Sequence, residues 1–238
     1  MEVEQARGQP RSGRASRRAD ARLLSRATLS IAVAITIWGL FFPQPDEVLI
    51  TALAVLPWCG LLMIARSRGF LHADDKGIYR GTAALAAVPA LVLAVRALQD
   101  VHLVVWWEVL PFTAIGAAAF VFIVTKADRR IVKRRGGITG MLCVACAYAY
   151  GVSAEADMLL DWSRPQHFTP TVLDKHSSGG SRAPRTYHFT VDPWGPRLEA
   201  DEIAVSVETF RAIKRGEAVC ISSSPGAIGI SWYVGEAC

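Results

Sequence analysis

Residues 137–154 read GITGMLCVACAYAYGVSA, and the chain then continues EADMLLDW into short alternations of polar and apolar residues. That junction decides the fold. Before it lie apolar runs close to the roughly 20 residues a helix needs to cross a bilayer; after it none approaches that length. The whole chain of 238 residues is 52 % hydrophobic and 20 % charged. Such a mixture is coherent only if the two kinds of residue are segregated, as they are here. Residues 155–238 carry eight Lys/Arg against eleven Asp/Glu, so the surplus of basic charge belongs to the first 154 residues.

Working back from the junction, five helical spans are expected: about 26–43 (RATLSIAVAITIWGLFFP), 47–65, 81–98, 103–125 and 137–154. The third is mostly alanine and contains Pro89. Small residues let helices approach closely, which places the third and fifth spans inside the bundle. Residues 1–25 are polar, rich in arginine and without periodicity, and read as a disordered cytoplasmic tail. The domain expectation is therefore a tail over 1–25, a transmembrane domain over 26–154 and a β-domain over 155–238.

Charge sets the threading. Alternate connections carry Arg7, Arg11, Arg14, Arg17, Arg18, Arg22 and Arg26, then Arg66, Arg68, Lys76 and Arg80, then Lys126, Arg129, Arg130, Lys133, Arg134 and Arg135. The intervening connections, PQPDE and QDVH, carry no Lys or Arg. This bias puts the N-terminus in the cytoplasm and, across five spans, the C-terminal domain outside. It also explains the basic surplus without a nucleic-acid partner. Trp38, Phe41, Phe42, Trp106, Trp107, Tyr148 and Tyr150 are expected at the outer interface, where amphipathic rings settle. The sequence FFPQPDE offers no small-x-small cleavage site, so the first span reads as a retained anchor. In the second cytoplasmic connection, FLHADDKGIYR reads as a short hairpin with Phe70 and Tyr79 at the lipid surface.

The last third alternates with a period of two. Tyr187, Phe189 and Val191 share one face of a strand, as do Ile203, Val205 and Val207 of another. TPTVLDKH and RTYHFTVD flank a Gly/Ser turn; ETFRAIKRG is a helical turn with a Lys-Arg-Gly stop; EAVCIS and IGISWYV pair across Ser224, Pro225 and Gly226. Five strands and a helical turn predict a small all-β barrel or sandwich with a marginal core. The run VDPWGP…IAVSVETFRAIKRGEAVCI…PGAIGISWY resembles the endings of multi-pass bacterial inner-membrane proteins that finish in a small periplasmic β-module. The resemblance covers roughly the last third of the chain, and it implies an architecture and no activity.

Candidate chemistry is sparse. Cys143 and Cys146 form CVAC, the spacing of a membrane thiol-disulfide oxidoreductase, but a thiol buried in lipid keeps a raised pKa and stays inert. Packing is the stronger reading, for Cys59 as well. Cys220 and Cys238 bracket the terminal hairpin, and an outward-facing domain meets an oxidising compartment, so a disulfide is expected between them. Arg96 and Glu108 lie at similar depth on either side of a turn near residue 100 and are expected to form an intramembrane ion pair. His167, His176 and His188 do not fall at metal-ligand spacing; His176 and His188 can face each other across the first hairpin on its solvated side, and no metal is expected. Asp157 and Asp161, four apart, read as a solvated helix face. No cofactor motif is present. The functional expectation is a binding or accessory role in the cell envelope, with the bilayer and another envelope protein as partners; the alternatives are an oxidoreductase using Cys143 and Cys146, and a small transporter.

Overall fold

The computed structural model describes residues 11–41, 47–66, 80–127, 137–179 and 185–238. The expected hairpin with Phe70 and Tyr79 lies outside them, as do Phe42 and most of the basic connection at 128–136. The chain divides into two compact units, Met1–Arg96 with Ala114–Gly151, and Ala97–Thr113 with Val152–Cys238.

The first unit is helical. Helix α1 spans Arg11–Phe41, α2 Glu47–Arg66, α3 Arg80–Asp100, α4 Trp106–Ala127 and α5 Gly137–Leu159. Among the described residues, α2, α4 and α5 are long and apolar enough to cross a membrane, with mean hydropathies of 2.4, 1.9 and 1.4. A shorter apolar stretch, Arg26–Gly39, lies within α1. Helix α1 begins at Arg11, well inside the tail expected to be disordered. Its first turns, RSGRASRRADARLL, are rich in arginine, alanine and leucine, which favour helix strongly enough to extend the apolar stretch backwards.

Small residues bring these helices together. A Cβ added to Gly60 of α2 would lie 3.0 Å from the Ala86 backbone nitrogen of α3, and one on Gly151 of α5 would lie 2.9 Å from the Ala94 nitrogen of the same helix. Gly39 of α1 meets the Val92 side chain of α3, and Gly116 of α4 meets Ala149 of α5. Helix α3 is thus approached from three sides, and its Leu85, Ala90 and Leu93 are buried, in keeping with its alanine-rich sequence. Tyr148 departs from expectation. It is not an interfacial ring but is buried, its hydroxyl donating to Ala54 O (2.7 Å) and accepting from Trp58 Nε1–H, with Phe120 packed 5.1 Å away, centroid to centroid. A tyrosine hydroxyl in an apolar bundle needs a partner, and the α2 backbone beside Pro57 supplies one.

The second unit contains two antiparallel sheets. Strand β1 is His102–Leu103, β2 Gln166–Phe168, β3 Val172–Ser178, β4 Thr186–Val191, β5 Asp201–Val205, β6 Cys220–Ser224 and β7 Trp232–Glu236; a short helix α6, Val207–Ala212, follows β5. The sheets have the orders β1-β7-β6-β2 and β3-β4-β5. The alternation seen in the sequence sends Phe189, Val191 and Ile203 into a core shared with Val172, Trp194, Ile221 and Tyr233. Gly235 of β7 leaves room for Val205 and Ile203, a Cβ there falling 3.2 Å from Val205 Cγ1. Ser206 caps α6 by accepting from Thr209 N–H (3.1 Å), a contact typically worth about 1 kcal/mol. Lys175 closes its other end, donating to Phe210 O and Ile213 O.

Cys220 and Cys238 are joined by a disulfide, with Cα atoms 5.1 Å apart, as the sequence leads one to expect. In the chain-entropy argument a loop of this size contributes about 3 kcal/mol. Two strands, β1 and β2, carry no alternation of their own. β1 lies in the α3–α4 connection and pairs with β7, His102 opposite Tyr233 and Leu103 opposite Trp232. The β-module is therefore broader than residues 155–238 and includes the connection before α4.

The packing of α5 gives a direct test. Gly151→Ala should destabilise the detergent-solubilised protein by about 1–3 kcal/mol, because its methyl meets the α3 backbone. Gly140→Ala on the same helix meets nothing within 4 Å and should be neutral or stabilising by up to about 1 kcal/mol. Equal melting temperatures for the two variants would refute this packing.

Candidate functional site

Two features of the β-module concentrate polar groups. The first is a hold on the loop 225–231, between β6 and β7. This loop was expected to be a tight turn followed at once by strand, but β7 begins only at Trp232 because the preceding backbone is engaged elsewhere. Ile228 N–H donates to Asp157 Oδ1 (2.7 Å), Gly226 N–H to Asp161 Oδ2 (3.1 Å) and Ser231 N–H to Glu108 Oε2 (2.8 Å). Trp232 Nε1–H also donates to Asp161 Oδ2 (3.2 Å). Helix α5 continues to Leu159 rather than ending near 154, which brings Asp157 into its last turn, where the side chain is buried. Glu108 occupies the first turn of α4, where a carboxylate is favoured by the exposed N–H groups. Burial alone would raise the Asp161 carboxyl, but hydrogen bonds from Ser163, Trp232 and Gly226 outweigh it and hold the group below its ordinary value.

Asp157 and Asp161 are thus clamp residues and not a solvated face. Their i, i+4 spacing at the end of the last long apolar helix was visible in the sequence, but the N–H groups that donate to them lie some 70 residues away. Gly226 has φ +76°, and a Cβ there would collide with the Asp157 carboxylate. Gly229 has φ +90° with nothing within 4 Å. Gly226→Ala should therefore unfold the module at a markedly lower temperature than Gly229→Ala, since backbone strain of about 1–2 kcal/mol is common to both and only the first displaces a buried carboxylate. Matching denaturation curves would contradict the clamp.

The second feature is a cleft of about 640 Å³, walled by the end of α3, by β4 and β5 and by β7. Its polar lining includes His102, Arg185, Tyr187 and His188, set among Leu98 and Val205. His176 and His188 face each other in register across β3 and β4, their rings stacked 5.5 Å apart. Both reach the same oxygen of Glu202, His176 Nε2 at 3.2 Å and His188 Nδ1 at 3.0 Å. Ser206 also lines the cleft, but its hydroxyl is committed to Thr209 and not to a histidine. Among the described residues the arrangement brings cationic and hydrogen-bonding groups together in one cleft. Among the described residues no group of three His, Cys, Asp or Glu side chains could hold a metal ion.

Cys143 and Cys146 are free thiols on the exposed surface of α5, and Cys59 is free and partly buried in α2. Arg96 is buried, and Glu108 accepts from the Ser231 N–H of the loop. His167 Nδ1 meets Ser222 Oγ (2.9 Å) across β2 and β6. Compared with protein-family models, curated proteins and solved structures, the chain matches none.

His102 contributes to the module's response to acid. Burial pushes it below its ordinary value of 6.5, and the nearby His188 acts in the same direction. The folded state therefore resists a proton that the unfolded chain accepts. Stability is full above pH 6.5 and declines as pH falls below it. Thermal unfolding followed from pH 7.5 to 5 should show that decline, and His102→Gln should flatten it. An unchanged slope in the variant would assign the pH dependence to other groups.

Proposed function

We propose that this chain is a five-span protein of the bacterial inner membrane, with a cytoplasmic N-terminus, that presents its β-module in the periplasm as a binding or accessory element of the cell envelope. The pairing of β1 with β7 carries the proposal. His102 and Tyr233 are hydrogen-bonded neighbours, so the connection before α4 and the C-terminal strands occupy the same side of any membrane that α4 and α5 cross. This agrees with a basic connection between those two helices and with none before α4. The Cys220–Cys238 disulfide suits an oxidising compartment. The cleft supports a recognition role through Arg185 and His188 in its lining, and its Ser206 hydroxyl is engaged with Thr209.

The oxidoreductase alternative rests on Cys143 and Cys146, whose exposed position on an apolar helix suits packing or lipid contact better than thiolate chemistry. Alkaline phosphatase fused after Cys238 should be active, and fused within 126–136 inactive; the opposite pattern would overturn the orientation. With orientation fixed, purification of the intact protein from mild detergent should retain one envelope protein in stoichiometric amount. That protein should be lost from variants with His188→Ala and Arg185→Ala. Retention unaffected by those changes would remove the cleft from the binding role.

A further inference from the structure

The β-module exposes large apolar side chains where a soluble domain would hide them. Trp162 is 92 % exposed, Leu198 86 % and Ile228 47 %. All three belong to segments tied to the ends of the two helices that flank the module. Trp162 follows Asp161, three residues beyond the end of α5, and Asp161 holds Gly226 and Trp232. Ile228 is fixed through its N–H to Asp157, in the last turn of α5. Leu198 follows Arg197, whose guanidinium donates to Val104 O (2.8 Å), two residues before α4 begins. Trp107, in the first turn of α4, is 72 % exposed as well.

We propose that Trp162, Leu198 and Ile228 form a rim by which the β-module sinks into the interfacial layer of the phospholipid bilayer, continuing the lipid-facing surface of α4 and α5. The proposal rests on those two helices crossing the membrane. Trp107 and Trp162 lie at or just past the ends of those helices, and Leu198 and Ile228 lie in loops tethered to the same ends, so the headgroup region is the solvent they would meet. Indole rings and leucine side chains settle there, burying their apolar parts while nearby polar groups remain hydrated. Arg164, exposed two residues after Trp162, supplies a cation that phosphate groups would meet. A protein partner is the competing occupant, but it would have to seat on side chains tied to both span ends, a zone that lipid already reaches.

The test uses the full chain in nanodiscs of phosphatidylethanolamine and phosphatidylglycerol. A benzophenone amino acid replaces one residue at a time: Trp162, Leu198, Ile115 on the exposed face of α4, and Lys214, an exposed residue beyond α6. Irradiation and mass spectrometry then report phospholipid adducts. Adducts at 162 and 198 as well as at 115, lost at 214, are the expected result. Adducts at 115 without any at 162 and 198 would overturn the rim while leaving the spans intact. No adduct at 115 would overturn the spanning assignment, and the rim with it. All four positions are exposed, so the substitutions leave the core untouched.

Discussion

Carboxylates at the ends of α4 and α5 hold the backbone of the loop 225–231, and the rest of the β-module depends on that hold. Glu108, Asp157 and Asp161 each accept an N–H from a loop that would otherwise leave its donors unpaired beside apolar residues. A backbone N–H bonded to a carboxylate is among the stronger hydrogen bonds available, and it satisfies both partners at once. Removing either side would leave the other stranded, at a cost of about 1–3 kcal/mol or more when the survivor is charged. Only with this loop in place does β7 begin at Trp232, in register with β6 and β1. The disulfide then ties the far end of the same hairpin, so β6 and β7 are constrained at both ends.

The helical unit is held by a different physics. Its contacts are close approaches of glycine and alanine around α3, where the gain is dispersion and the absence of side-chain crowding. Such packing tolerates little added volume but requires few polar groups. The Trp58, Phe120 and Tyr148 cluster adds polar contacts, and its hydroxyl is satisfied from within the bundle.

What the sequence showed and what it hid divide along the range of the interaction. Periodicity two is a local signal, and it located β4, β5 and the buried faces of Phe189 and Ile203 correctly. Cys220 and Cys238 were readable because the two ends of a terminal hairpin lie close enough for a bridge. β1 was not, because two residues in a connection carry no period and acquire strand geometry only from β7, some 130 positions away. Asp157 and Asp161 were misread for the same reason: four-residue spacing describes a helix face but says nothing of what covers it. Tyr148 looked interfacial by type, and only the position of the Ala54 carbonyl shows why it is buried. Helix α1 outran its expected start because propensity extends a helix where polarity alone suggests disorder.

These long-range contacts also decide where the module begins. A boundary at residue 155 would remove β1 from the edge of β7, Val104 from the core, Glu108 from the loop and the carbonyl that anchors Arg197. Each lies in the connection between α3 and α4 or in the first turn of α4. A core this small has little surplus stability with which to absorb such losses. The soluble-looking third of the chain is therefore only part of its own folding unit, the remainder being supplied by residues 97–113. Because α4 and α5 separate those two parts in sequence, the sheet β1-β7-β6-β2 can close only after the chain has passed through both helices.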